Sequence, residues 1–149
     1  MLVIISDLHL TDGTSGSTIQ PGAFQIFADR LCEMSERASW RADGRYQPID
    51  GVELVLLGDV LDIIRSSQWL ETSTRPWDDP HSPEVTETVS SIIERILVHN
   101  EPSLAVLRAL ASEAAINVPA GDSRGRPLYE SAAHNVPVRL HYMVGNHDW

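Results

Sequence analysis

Apolar and polar positions alternate along the chain in a way that predicts strands and helices in turn. LVII (2–5) is a short β-branched run and predicts a buried strand. The polar TDGTSGST that follows predicts a loop, and Pro21 opens a helical pattern. Phe24, Phe27, Leu31 and Met34 recur at three- and four-residue steps, which gives one apolar helix face to about Trp40. RADGRYQPIDG is a connection rich in turn formers, and VELVLL (52–57) predicts a second buried strand. Strand, helix, strand in this order predicts a right-handed βαβ unit with a parallel pair.

Further on, RSSQWLETSTRPWDDPHSP predicts a long loop. Ser82 is a candidate N-cap, with Pro83 at the first helical position and Glu84 and Glu87 placed to suit the helix dipole. Val85, Val89, Ile92 and Ile96 then mark a helix face, which Pro102 interrupts or kinks before Leu104, Leu107 and Ala111 resume it. Two helices are thus expected within 83–115, NVPAGDSRGRP is expected to be a loop, and VRLHYMV (138–144) a third strand. The expected class is α/β, a single domain over 1–149, with 65–137 an insertion or lid within it. Trp69 and Trp77 in the long loop either pack that insertion against the domain or stack on a base or sugar; packing is the commoner use of an indole.

The chemistry gathers where the strands end. LVIIS runs into Asp7, Leu8 and His9; VELVLL runs into Gly58, Asp59, Val60, Leu61 and Asp62; LHYMV runs into Gly145, Asn146, His147 and Asp148. In open α/β sheets, ligands bind beyond the carboxyl ends of the strands, so the three clusters should meet at one crevice. On an extended segment the side chains at i and i+2 point the same way, which would aim Asp7 and His9 at one ion. Gly58 and Gly145 suit sharp turns that bring the next side chain inward. Singly, each cluster reads as a cap or turn. All three at strand ends form a far more specific signal.

DLH, GDVLD and GNHD resemble the first three motifs of the calcineurin-like metallophosphoesterases: Asp-x-His, Gly-Asp-x-x-Asp and Gly-Asn-His-Asp/Glu. The resemblance implies an αββα sandwich with a dinuclear metal site, of which this chain supplies the first half plus a helical insertion. It implies that Asp7 and His9 bind one ion, Asp59 bridges both and Asn146 binds the other. His147 would stand near the leaving group with Asp148 orienting it, and Asp62 would support the surrounding shell. Carboxylate and amide oxygens with imidazole nitrogen suit two divalent ions of Mn, Fe or Zn. Such a pair, ~3.5–4 Å apart, clamps the attacking and leaving oxygens of an in-line displacement. The implied reaction is hydrolysis of a phosphoester or pyrophosphate bond.

The family completes its site with later Gly-His and Gly-His-x-His motifs. None of the nine glycines here is followed by histidine, and His81, His99, His134 and His141 all precede GNHD. The chain is therefore expected to be C-terminally incomplete, inactive alone, and in need of a missing C-terminal half or prone to self-association. A non-catalytic interaction module of the same fold is the competing expectation. Five metal- and phosphoryl-type side chains at one crevice (Asp7, His9, Asp59, Asn146, His147) argue against it.

Bulk properties narrow the partner. The formal charge of −10, from 11 Lys and Arg against 21 Asp and Glu, disfavours nucleic acid and favours a small phosphorylated substrate. No apolar run approaches the ~20 residues of a membrane span. Cys32 is the only cysteine, and the polar turn early in MLVIISDLHL does not fit a signal peptide, so the cytoplasm is the expected compartment.

Overall fold

The computed structural model describes residues 1–112 and 116–148, apart from the side chains of 131 and 132. It is mixed α/β. The elements run β1 (Leu2–Ile5), α1 (Pro21–Ala38), β2 (Val52–Leu57), α2 (Gln68–Glu71), α3 (Pro83–His99), α4 (Glu101–Leu110), β3 (Ile116–Gly121), β4 (Pro127–Val136) and β5 (Val138–Met143).

β1, β2 and β5 form a three-stranded sheet in the order β1-β2-β5. Glu53 N donates to Met1 O at 2.8 Å and Asp7 N to Gly58 O at 3.4 Å, so the partners advance together along both strands. Val52 N donates to Pro137 O and Gly58 N to Met143 O, each at 2.9 Å, with the same sense. Both pairs are parallel. Val52, Leu54 and Leu56 of β2 are buried while Glu53 and Val55 are half-buried, as period-two alternation requires. Leu2 and Ile4 of β1, by contrast, are more than half exposed.

β3 and β4 form a separate antiparallel pair, from Ile116 opposite Val136 to Gly121 opposite Pro127, with a register shift between Pro119 and Ala120. This hairpin replaces the loop expected for NVPAGDSRGRP. Ile116 and Val118 are buried on either side of exposed Asn117, which is strand alternation. Pro119, which has no N–H to give, sits beside the irregularity, where the ladder does not need one. The turn is closed by Asp122, whose Oδ1 accepts from Arg124 N and Arg126 N at 2.8 Å each, and by Gly125 at φ +73°.

The helices follow their caps. Ser82 accepts from Val85 N at 3.2 Å at the start of α3, with Pro83 in the first turn. Pro102 begins a helix instead of kinking one: α3 closes at His99, Asn100 N returns to Ile96 O, and Pro102 lies in the first turn of α4, where no N–H is required. The stretch expected as helix beyond α4 reaches 113–115, which lie outside the described residues. No helix of the described residues is long and apolar enough to cross a membrane.

The chain divides into two compact units. The first comprises Met1–Ile4, Gly22–Val55 and Ala105–His141. Its buried side chains include Phe24 and Leu31 of α1, Tyr46, Leu54, Leu107 and Val136. The second comprises Ile5–Pro21, Leu56–Leu104 and Tyr142–Trp149, and buries Leu10, Val60, Ile63, Trp69, Ile92 and Ile96. The segment expected as one insertion, 65–137, is shared between them, its first part up to Leu104 in the second unit and the remainder in the first. The two tryptophans separate as well. Trp69 is buried, with its indole N–H donating to Ile63 O at 2.9 Å, whereas Trp77 is 80% exposed and packs nothing away from water.

Candidate metal centre

All the singled-out residues from Asp7 to Asp148 belong to the second unit. Beyond the strand ends the chain segments continue side by side. His9 N donates to Asp59 O and Leu10 N to Val60 O, each at 2.9 Å, and Asp62 N returns to Leu10 O at 2.9 Å. Leu10 is fully buried and anchors the first segment. This holds Asp7 and His9 against the Asp59–Asp62 segment.

The backbone here is unusual. Asp7 (φ 57°), His9 (φ 46°) and Asp59 (φ 51°) are the non-glycine residues with positive φ among those described, and Gly58 (φ 70°) adjoins them. Left-handed geometry at a side-chain-bearing residue costs of order 1–3 kcal/mol and persists only where the surroundings hold it. Asp and His are among the residues that tolerate it best. Asp7 and His9 thus converge through left-handed turns; the alternation of an extended segment is not what aligns them.

Donor atoms of Asp7, His9 and Asp59 lie within 4.8 Å of one another. His9 Nε2 stands 3.9 Å from Asp7 Oδ1. The other side of each imidazole meets Asp62, whose carboxylate is completely buried. Its Oδ2 lies 3.1 Å from His9 Nδ1, and its Oδ1 lies 3.2 Å from His147 Nδ1. Arg65 Nε also approaches Asp62 Oδ2 at 3.1 Å. The two rings meet edge to face, centroids 4.9 Å apart. One buried carboxylate therefore fixes both imidazoles through Nδ1 and leaves both Nε2 atoms for other work. His9, Asp62 and His147 also lie close enough to hold an ion, but Asp62 is already engaged by two imidazoles and a guanidinium. The Asp7, His9 and Asp59 group is the better cation site, since a buried carboxylate behind an imidazole is how metal-ligating histidines are usually held.

Asp148 does not bond the His147 ring. Its Oδ1 accepts from Leu61 N and its Oδ2 from Gly145 N, both at 2.6 Å, so it ties the GNHD turn to the GDVLD segment. The carboxylate on the His147 ring belongs to Asp62. Sequence order could not reveal this, because an adjacent residue looks like the natural partner until the turn is seen to point it elsewhere. His147 is held from both ends of its main chain: its N–H donates to Asp59 Oδ1 at 3.1 Å and its carbonyl accepts from Ile63 N at 3.1 Å. Asn146 immediately precedes these anchors, exposed, and no described residue hydrogen-bonds its carboxamide. Tyr142, which the sequence did not single out, has its hydroxyl pushed up to about 12 by desolvation first and then by the Asp148 and Asp59 carboxylates.

Gly145 is required by closeness and not by backbone angle. A Cβ there would lie 2.2 Å from Asp59 Oδ1 and 2.3 Å from Asp59 N. Gly145→Ala should lower stability by about 1–3 kcal/mol, the range for overpacking a filled site, and displace Asp59 with it. Gly22→Ala is the control, since nothing lies within 4 Å of its added Cβ. That change should be neutral or stabilise by up to ~1 kcal/mol. Urea unfolding of both variants measures the difference; equal midpoints would mean the crowding at Gly145 is relieved at no cost.

No protein-family model, curated protein or solved structure matches this chain.

Proposed function

We propose that this chain carries the Asp7, His9, Asp59, Asn146 and His147 portion of a dinuclear metallophosphoesterase site on a metallophosphoesterase-type fold, and that its chemistry is hydrolysis of a phosphoester or pyrophosphate bond. The supporting observation is the pair of imidazoles sharing Asp62: His9 offers Nε2 toward Asp7, and no described residue bonds the Nε2 of His147. The residues fit a cation. Two carboxylates and an imidazole nitrogen converge, and the nearby fixed positive charge, Arg65, is spent on Asp62. Asp7, His9 and Asp59 would hold one ion, and Asp59 with Asn146 would offer oxygens to a second. Two divalent ions (Mn, Fe or Zn) would supply Lewis acidity toward phosphoryl oxygens.

The protein's own groups do the rest. His147 would present Nε2 toward the leaving group, where an imidazolium can donate a proton, with its Nδ1 held on the Asp62 carboxylate. Asp148 fixes the loop that carries Asn146 and His147. A small phosphorylated molecule suits the acidic chain better than nucleic acid does.

Mn²⁺ titration calorimetry tests the reading. One saturable site is expected, lost in His9→Ala. Asp59 and Asn146, the ligands proposed for the second ion, are too few to hold it tightly, so the chain should release p-nitrophenol from its phosphate no faster than a metal blank. Absence of saturable Mn²⁺ uptake would end the proposal.

A further inference from the structure

A cavity of about 410 Å³ opens beside Asn146, lined by Ile63, Trp69, Pro76, Pro80, Val85 and Val89 among others. That volume is within the ~300–1,000 Å³ typical of small-molecule sites. None of the lining side chains is charged. The polar edges in the wall are already used: the Trp69 indole N–H donates to Ile63 O, the Thr86 hydroxyl to Ser82 O and the Ser90 hydroxyl to Thr86 O. The Asn146 carboxamide is the exception, unbonded among the described residues, and it stands next to His147.

We propose that this cavity takes the organic group of the phosphoester, and that this group is apolar and ring-sized. The inference rests on the proposed metal centre and names its substrate class. A phosphoryl group lying between Asn146 and His147 would direct its ester substituent to the cavity mouth. The walls there are mostly one indole, two pyrrolidine rings and branched aliphatics, with the Thr86 and Ser90 hydroxyls donating to backbone carbonyls. A ring buried among them leaves water without stranding a polar group. A charged or polyhydroxylated substituent would lose its hydration and meet almost no free donor in return. Selection for an apolar ester follows from that asymmetry.

The experiment compares phenylphosphonate with methylphosphonate, neither of which has an ester bond to cleave, by calorimetry on the full chain with and without Mn²⁺. With Mn²⁺ bound, phenylphosphonate should bind at least about tenfold more tightly, the effect of burying a ring's apolar area. Val89→Phe, which fills the cavity, should remove most of that preference and leave both Mn²⁺ and methylphosphonate affinities unchanged. Ser90→Trp does the same from an exposed helix position and guards against a misfolded first variant. Failure of the chain to take up Mn²⁺ would overturn the metal centre and this inference with it. Mn²⁺ uptake with equal affinity for the two phosphonates, or with neither bound, would overturn the cavity assignment alone. Folded variants that keep the phenyl preference would also overturn it.

Discussion

Asp59→Asn should weaken Mn²⁺ binding by more than roughly a hundredfold, since changes to groups that merely support a ligand already cost about ten- to a hundredfold. The substitution is close to isosteric. Asparagine keeps an oxygen to accept from His147 N, a bond of 3.1 Å in the native chain, and it tolerates the φ of 51° at this position. What disappears is the charge. Asp59 stands beside the Asp7 carboxylate, so the metal-free protein should be no less stable for losing one of the two charges. Calorimetry gives the affinity and urea unfolding without metal gives the stability. A variant that binds Mn²⁺ as tightly as the parent would remove Asp59 from the site; a variant that unfolds would show that the charge serves the fold instead.

The elements that carry these residues were legible because each obeys a local rule. LVII, VELVLL and VRLHYMV are apolar runs bounded by turn formers, and they became β1, β2 and β5 with almost the expected limits. Ser82 and Pro83 marked the start of α3 by chemistry that acts within one turn. The clusters after the strands were visible because a parallel sheet sends its strand ends the same way. What escaped depends on distant segments. β3 and β4 were hidden by two prolines and three glycine or aspartate positions that suit a loop equally well, and only cross-strand pairing decides between them. The left-handed turns at Asp7 and His9 are permitted by residue type but not announced by it, since both positions also read as continuation of β1. Trp77 defied its usual role because nothing in a single sequence reports which loop tip remains in solvent.

Asp62→Asn should produce the other large effect, and through tautomers more than through stability. An ionised carboxylate only accepts hydrogen bonds, so it can take Nδ1–H from His9 through Oδ2 and from His147 through Oδ1 together. Each imidazole is thereby left with Nε2 facing away from Asp62, unprotonated when the ring is neutral. An amide has one accepting end and one donating end. The imidazole that meets the NH₂ group must accept at Nδ1, which moves its proton to Nε2; where that imidazole is His9, the lone pair a metal needs is lost. Arg65 is more than half exposed and can turn to water, so the variant should lose little stability on that account. Relief of a buried charge offsets part of what is lost. The expected result is a fall of about ten- to a hundredfold in Mn²⁺ affinity with the fold retained. Long-range ¹⁵N–¹H spectra of the metal-free protein should show His9 and His147 both protonated at Nδ1 in the parent and one of them switched in the variant. Two unchanged tautomers with undiminished Mn²⁺ binding would mean that Asp62 does not set the imidazoles, and that the buried carboxylate serves only to hold Arg65.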